Sequence, residues 1–265
     1  MKNFKQLDFI NVKSLLITIL MLGISASINA QIFVVEYMKV KDDKFNEYLE
    51  IEKSWLEIHQ KMVDEGNKNG WTLYSKMFGG TNDEYDYITV NVYPDWATYE
   101  KPVSDNIMNY VNESLQYVMD KTAEVRDLVR TEVYSASVLA ENAKPTDIIS
   151  LAYMKVAQTD YQKYVDLEKK YFKPYFEGLI EAGARNGWGI YQKLTPMAGD
   201  FDFVAVNGFE KLSQPDSVSS EAIDEAWEKA ADGIPDDQIM EEIFGARETV
   251  HSEYWRRVMG VQAEQ

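Results

Sequence analysis

Hydrophobic and polar positions follow two periods along the chain. Short stretches alternate with a period of two, which is typical of half-buried strands, and longer stretches repeat apolar residues every three or four positions, as amphipathic helices do. In the first half the pattern predicts strands over 32–40, 71–78, 85–93 and 129–136, a helix over 44–65, and a mainly helical stretch over 95–128 that breaks near Pro102. In the second half it predicts strands over 148–156, 188–194, 201–209 and 249–258, a helix over 160–182, and helices between 219 and 246. Each half therefore has the order β-α-β-β-α-β.

The two halves also share sequence. Tyr37-Met38-Lys39-Val40 returns as Tyr153-Met154-Lys155-Val156, and Asn69-Gly70-Trp71 returns as Asn186-Gly187-Trp188. The offset is 116 for the first pair and 117 for the second, so the second half contains one inserted residue. The predicted fold class is α+β, with two tandem ferredoxin-like modules, residues 31–140 and 141–265, packed sheet to sheet as an intramolecular dimeric α/β barrel.

The predicted strand over 85–93 has two different faces. One face is aliphatic, with Ile88, Val90 and Val92, and the other is aromatic and polar, with Tyr87, Thr89, Asn91 and Tyr93. We expect the aliphatic face to meet the helices and the aromatic face to meet the partner sheet.

Residues 1–30 have the pattern of a secretory signal peptide. Three lysines precede an apolar run over 14–24, and small residues follow up to Ala30. The run is shorter than the roughly 20 residues that cross a bilayer, and a polar segment follows it. We predict cleavage before Gln31 and export to the periplasm or the cell exterior, with no membrane association after cleavage.

Charge and composition narrow the classes of partner. The net charge of −17 becomes −19 without residues 1–30, which carry three lysines and one aspartate. Such a surface repels nucleic acid and anionic lipid. The absence of cysteine excludes disulfides, thiolate nucleophiles, iron–sulfur clusters and cysteine-type zinc sites. We also find no phosphate-binding loop, nucleophile elbow or paired-histidine metal motif, so the expected partner is a small molecule.

Two polar residues interrupt the apolar arc of the first predicted helix. Glu52 and His59 lie near its centre, about 10 Å apart along the axis, and Glu168 and Tyr175 occupy the corresponding arc of the second half. Burial raises the pKa of a carboxyl group towards values that suit proton transfer. Each glutamate is therefore an acid–base candidate, or else the core partner of an arginine, a lysine or a tyrosine hydroxyl. His59 is a candidate base or axial haem ligand, or else a hydrogen-bonded core residue.

The remaining candidates lie on the strands and on the same helix. Asn91 and Asn207 stand in the middle of aromatic strands, where an amide can orient a carbonyl group or an oxygen-derived anion, or bond across the two halves. Trp55 and Tyr74 are candidate ligand contacts, and so are Glu168, Tyr175 and Asn207 of the second half. Tyr74 and Lys76 form a polar pair on one strand face, and Tyr191 and Lys193 repeat this pair in the second half. We interpret both pairs as structural contacts.

The interior of the first half is the more polar one. Its Glu36, Thr72, Thr89 and His59 correspond to Ala152, Gly189, Ala205 and Tyr175 in the second half. We expect the working pocket in the first half. Pro174 is expected to kink the second long helix, because its nitrogen has no proton to donate.

The chain resembles the dimeric α/β-barrel superfamily, which includes antibiotic-biosynthesis monooxygenases, NIPSNAP-like proteins and haem enzymes of the chlorite dismutase type. The resemblance covers both halves. It rests on Val40-Lys41-Asp42-Asp43 before a helix with Phe45 and Tyr48, on Tyr74-Ser75-Lys76, and on Tyr87-Ile88-Thr89-Val90-Asn91. The turn at 41–44 departs from the Lys-Pro-Gly common in the superfamily, and the Asn/Trp/His set of its haem-degrading members is incomplete. The resemblance implies a ligand pocket between helix and sheet in each half.

Two functional hypotheses follow. The first is an exported protein that binds a small apolar or aromatic ligand in a helix–sheet pocket without a cofactor. The second is a cofactor-independent oxygenase or isomerase, in which Glu52 or His59 moves a proton and Asn91 stabilises the developing anion, with haem bound at His59 as a variant.

Overall fold

A computed structural model describes residues 31–101, 113–196 and 199–263. The predicted signal peptide and the predicted helix break near Pro102 lie outside these residues. None of the helices in the described ranges combines the length and the hydropathy needed to cross a bilayer.

The described residues of the first half form four strands and three helices. In chain order they are β1 (Ile32–Val40), α1 (Phe45–Asp64), β2 (Gly70–Met77), β3 (Tyr87–Tyr93), α2 (Trp96–Tyr99), α3 (Glu113–Val125) and β4 (Arg126–Leu139). The Asp95 side chain accepts a hydrogen bond from the backbone of Thr98 and so caps the short α2.

The second half repeats this order with a divided first helix. Its elements are β5 (Ile148–Lys155), α4 (Tyr161–Leu167), a π-helical turn (Glu168–Phe172), α5 (Lys173–Glu181), β6 (Gly187–Thr195), β7 (Phe203–Phe209), α6 (Ser220–Ala231), α7 (Asp236–Ala246) and β8 (Glu248–Gln262). Pro174, the site of the predicted kink, lies in the first turn of α5, directly after the π turn. The predicted α+β class is confirmed.

The eight strands form one closed barrel. Every pair of neighbours is antiparallel, and the order around the barrel is β4-β1-β3-β2-β8-β5-β7-β6, which returns to β4. The halves of the chain therefore meet through two hydrogen-bonded ladders, β2 with β8 and β4 with β6. Closure removes the free strand edges that an open sheet would expose.

The expectation for the faces of β3 is wrong. Ile88 and Val90 belong to the cluster inside the barrel, together with Val35 and Leu151, whereas Tyr87 packs against Tyr48 of α1. The physical reason is closure. In the middle of this closed barrel the inner face packs against aliphatic and aromatic side chains of both halves, so the polar residues of the strand are on the outer face, under the helices.

Candidate functional site

The candidate site is a polar cleft between α1 and the outer face of the barrel in the first half. Glu36 of β1, Asn91 of β3 and His59 of α1 face this cleft, and Lys68 enters it from the turn before β2. We call these four residues, together with Thr89, the cleft network.

The end of α1 positions Lys68. The amide of Gly66 bonds to Val63 O and the amide of Asn67 bonds to Met62 O, which is the Schellman pattern of helix termination. Gly66 has a φ of 70°, a left-handed conformation that glycine adopts at no steric cost. The chain therefore reverses sharply, and Lys68, two residues after Gly66, lies beneath the helix.

Lys68 is a buried amine with polar partners. Its side chain is 2% exposed, and Nζ lies 2.8 Å from Asn91 Oδ1, 3.1 Å from His59 Nδ1 and 4.8 Å from the centre of the Tyr93 ring. Burial lowers the pKa of Lys68 to about 7, although the Glu36 carboxylate opposes this shift. The amine is therefore able to change its charge near neutral pH.

Asn91 connects the amine to a carboxylate. While its carbonyl oxygen accepts from Lys68, its Nδ2 donates to Val34 O at 3.3 Å and to Glu36 Oε2 at 3.4 Å. Thr89 Oγ1 donates to the same carboxylate oxygen at 2.8 Å. These partners fix the orientation of the amide, so the positive and negative groups stand on opposite sides of one side chain.

His59 is held between two indole rings. Its ring stacks on Trp71 at 4.7 Å and on Trp55 at 5.9 Å, and Trp55 Nε1 donates to Thr122 Oγ1 at 2.8 Å. Burial, and then the charge of Lys68, lower the pKa of His59 well below its usual value. The imidazole is therefore neutral at pH 7, and one nitrogen can accept a proton.

The cleft communicates with solvent. Glu36 lies in the middle of β1 on the helix-covered face, yet it is only half-buried, and His59, Trp55 and Tyr93 are half-buried as well. A small molecule that enters between α1 and the sheet would therefore meet aromatic surfaces first and the cleft network behind them.

Glu52 lies on the same helix face but outside the cleft network. It is 2% exposed, and burial raises its pKa to about 7 despite the opposing effects of Arg126 and the Tyr48 hydroxyl. Among the described residues, Glu52 Oε1 has no hydrogen-bond partner, and neither does Arg126 Nε.

The second half contains the same arrangement. Burial raises the pKa of Glu168 to about 7 against the effects of Arg247 and Tyr164, and Arg247 Nε lies 3.7 Å from Glu168 Oε1. A carboxylate, an arginine and a tyrosine therefore occur together in both halves. This recurrence favours the structural interpretation of the two glutamates over the catalytic one.

The second half carries a reduced form of the cleft network. Arg185 takes the place of Lys68 and donates to Asn207 Oδ1, and Asn207 Nδ2 donates to Ser150 Oγ at 3.3 Å. Ala152 and Ala205 stand where the first half has Glu36 and Thr89. The carboxylate side of the network is therefore missing there.

The predicted equivalence of His59 and Tyr175 is wrong by one residue. Phe176 stacks on Trp188 at 4.8 Å and 27°, just as His59 stacks on Trp71 at 4.7 Å and 27°. The π turn absorbs the inserted residue, so the offset is already 117 at this point of the helix. Tyr175 instead packs edge-on against Trp227, with ring centres 5.3 Å apart.

Tyr74, a predicted ligand contact, lies on the other side of the sheet. It points into the barrel with Val90 and Tyr191 and does not reach the cleft. The cleft thus brings together His59, Asn91 and Trp55 of the predicted residues. Glu52 packs beside it, and Glu168, Asn207 and Tyr175 belong to the other half.

Sequence reasoning missed Lys68. A signal was present in the repeat, because a basic residue precedes Asn-Gly-Trp in both halves, as Lys68 and as Arg185. A basic residue next to a turn is usually solvated. Only the helix reversal at Gly66 brings this one into the interior.

The cleft does not suit haem ligation by His59. A charged Lys68 amine can only donate, so His59 Nδ1 accepts and the ring proton lies on Nε2, the nitrogen that would have to bind iron. A ligating histidine normally donates its second ring nitrogen to a carboxylate or a carbonyl group. Stacking of the ring against Trp71 and Trp55 also leaves little space for a macrocycle.

Within the described ranges, no three His, Asp or Glu side chains are grouped so as to hold a metal ion.

Comparisons with known proteins identify the fold. No protein-family model and no curated protein matches the chain. A proposed monooxygenase from Lactobacillus acidophilus NCFM aligns at 10% identity over 88% of this chain and 96% of its own, with a TM-score of 0.56. A second one, from Fusobacterium nucleatum subsp. nucleatum ATCC 25586, aligns at 8% identity over 88% and 94%, with a TM-score of 0.54.

At these identities the similarity is one of fold alone. It confirms the predicted fold class, a mixed α+β chain, here with a closed antiparallel barrel of eight strands.

Proposed function

We propose that the protein binds a small planar molecule with a hydroxyl or carbonyl group in the cleft of the first half. The observation that carries this proposal is the buried Lys68 amine, held by His59 and Asn91 beside the Glu36 carboxylate. Burying this set of charges costs free energy, which a purely structural core would avoid with apolar residues.

The chemistry of the cleft defines the ligand. Lys68 supplies a donor for a carbonyl or phenolate oxygen, Glu36 supplies an acceptor for a hydroxyl group, and Trp55 and Tyr93 supply flat apolar surface. The positive charge of Lys68 and the negative charge of Glu36 balance one another. A neutral molecule that can ionise therefore fits this site better than a permanent anion.

Native mass spectrometry of protein isolated from its own host tests the proposal. We expect a retained small molecule that is lost from Lys68→Met and is kept by Arg185→Met, the matched change in the second half. Retention by both variants, with circular dichroism showing both folded, would place the ligand elsewhere.

Proton transfer is a second candidate function, and the distance of 3.1 Å between Lys68 Nζ and His59 Nδ1 supports it. If the Lys68 amine turns from His59 Nδ1 to the oxygen of an enolisable ligand, Nδ1 of the neutral imidazole is free to take a proton from the ligand's carbon, while Lys68 stabilises the oxyanion. This route keeps His59 of the two predicted bases, and it assigns stabilisation of the anion to Lys68 where the prediction assigned it to Asn91. Incubation of the recovered ligand with protein in D2O separates the candidates. Turnover gives deuterium incorporation that His59→Gln abolishes, and simple binding gives none. The two similar monooxygenase structures make oxygen uptake a useful second readout.

The barrel is proposed to consist of two ferredoxin-like modules, residues 31–140 and 141–265, forming an intramolecular dimer. The repeated strand orders β4-β1-β3-β2 and β8-β5-β7-β6 support this organisation, because each is the order of a split β-α-β sheet. The one-residue insertion in the π turn is consistent with duplication followed by divergence.

Export is likewise proposed, on the evidence of residues 1–30. Intact-mass analysis of protein from the producing cell is expected to show a chain that begins at Gln31 and is recovered outside the cytoplasm. A full-length cytoplasmic chain would refute this.

A further inference from the structure

The interior of the barrel contains a cavity that is separate from the cleft. Its volume is 340 Å³, which is within the size range of pockets for small molecules. Val90 and Val92 of β3 and Val204 and Val206 of β7 line it with aliphatic groups. The cleft network lies on the opposite face of β3.

The packing of the inner face shows that side chains do not fill the barrel. Phe33, Tyr74, Val90, Tyr191 and Val206 point inwards from the walls, yet each is only half-buried. In a well-packed core such residues would lose almost all of their exposure. Eight-stranded barrels are just wide enough either to be filled by their own side chains or to hold one small ligand.

One end of the barrel is closed by a polar cluster. Lys76 Nζ lies 3.0 Å from Glu253 Oε1, and Trp255 Nε1 donates to Glu253 Oε2 at 3.2 Å. On the opposite wall the Tyr134 hydroxyl donates to Glu132 at 2.5 Å. None of the charged side chains of this cluster lines the cavity.

The other end opens to solvent. The cavity is lined here by three exposed residues. They are Ala143 and Lys144, in the linker between β4 and β5, and Gln262 at the end of β8. Lys144 is the only charged residue among the described lining residues, and its exposure places it at the mouth.

Two of the tyrosines that line the cavity lie close together. Tyr74 of β2 and Tyr191 of β6 contribute one hydroxyl each, and burial raises the pKa of both, in the case of Tyr191 to about 12. The Tyr74 phenol adds to the shift of Tyr191, so the two groups are close together. Both stay protonated at neutral pH and can donate or accept one hydrogen bond each.

From these observations we infer that the barrel interior is a binding site for a small, uncharged, mostly apolar molecule with one hydrogen-bonding group. The molecule enters at the linker end, its apolar body lies along the valines of β3 and β7, and its polar group meets Tyr74 and Tyr191. This site is independent of the cleft, because the sheet separates them.

Titration with 1-aminoanthracene, a planar uncharged amine, tests this inference. We expect saturable fluorescence enhancement with the full chain. Val206→Phe and Val90→Phe fill the cavity, so each should weaken binding at least tenfold and leave the melting temperature equal or higher, since a void has been filled. Ala205→Thr is the control on the outer face of β7, where the first half already has Thr89, and it should bind normally.

Further variants keep the test decisive. Tyr74→Phe combined with Tyr191→Phe preserves the shape of the cavity and should weaken binding about tenfold, the effect of one lost hydrogen bond of about 1.4 kcal/mol. If the filling variants do not fold, unchanged affinity of this double variant overturns the inference. Full binding by both folded filling variants also overturns it. Loss of binding in Lys68→Met alone assigns the probe to the cleft, and thereby separates this inference from the proposed function.

Discussion

Asn91 is the residue on which the cleft depends. Its amide accepts from a buried amine and donates towards a carboxylate, and no apolar side chain could satisfy both groups. Leaving either group without its partner would cost roughly 1–3 kcal/mol, so the network behaves as a unit. A ligand that displaces one contact must replace it with an equivalent hydrogen bond, which restricts what the cleft can accept.

Glu52 gives the first prediction at this scale. Burial raises the pKa of Glu52 to about 7 in the folded protein, whereas the usual pKa of a glutamate is 4.5. Between these two pH values the native state therefore keeps a proton that the unfolded state releases. Stability therefore falls as pH rises through this window. Glu52→Gln cannot titrate. The difference between the free energies of unfolding of this variant and the parent should therefore rise, in favour of the variant, by roughly 2–3 kcal/mol from pH 5 to pH 8.

Urea denaturation at the two pH values measures this change. Glu57→Gln, on the exposed face of the same helix, serves as the control and should follow the parent at both pH values. If the gap between Glu52→Gln and the parent is the same at pH 5 and pH 8, the buried carboxyl group is not protonated in the native state.

The site residues that could be identified from the sequence were those that interrupt a periodic pattern. Glu52 and His59 were found because polar side chains on an apolar arc are conspicuous, and Asn91 because it interrupts an aromatic strand. Lys68 and Glu36 were not assigned to one site, since they meet only through strand pairing and the helix reversal at Gly66. Contacts between residues so far apart in sequence leave no local periodic signal.

The π turn shows how an element can absorb an insertion. In α1 the distance from Glu52 to the stacked His59 is seven residues, and in the second half the distance from Glu168 to the stacked Phe176 is eight. The extra residue is accommodated in the turn at Glu168–Phe172, so both ends of the helix keep their register with the sheet. The order of the elements was predictable from hydrophobic period. The turn was not, because the inserted residue could equally have been assigned to a loop.

Deletion of Lys169 tests this explanation. Lys169 is exposed within the π turn, and its loss should leave a regular helix with Glu168 and Phe176 still in place. We expect a cost of about 1–2 kcal/mol. Deletion of Lys53, its counterpart in α1, should cost more than about 4 kcal/mol, because rotation by 100° per residue turns His59 away from Trp71.

Thermal unfolding followed by circular dichroism ranks the two deletions. Equal losses of stability would show that the π turn is a fixed structural requirement and not an accommodated insertion.

At the scale of the whole molecule, closure explains where polar and apolar side chains lie. The sequence correctly indicated the α+β class and the order of elements in each half, since both follow from local patterns. It misassigned the faces of β3, because alternation distinguishes two faces without saying which one is enclosed. That choice depends on whether the strands join into a barrel, and the joining ladders pair residues that are distant in sequence, such as Tyr134 with Lys193.

Closure also predicts the behaviour of a cut chain. The linker between β4 and β5 is exposed, whereas the two halves are held by the β2–β8 and β4–β6 ladders and by the ion pair between Lys76 and Glu253. A protease site inserted after Ala143 should therefore be cleaved without release of either half. The fragments should co-elute at the size of the intact chain, and urea unfolding should become dependent on protein concentration, because folding is then bimolecular. Elution as separate, folded fragments in native buffer would contradict this expectation, since each half would then be stable with two strand edges exposed.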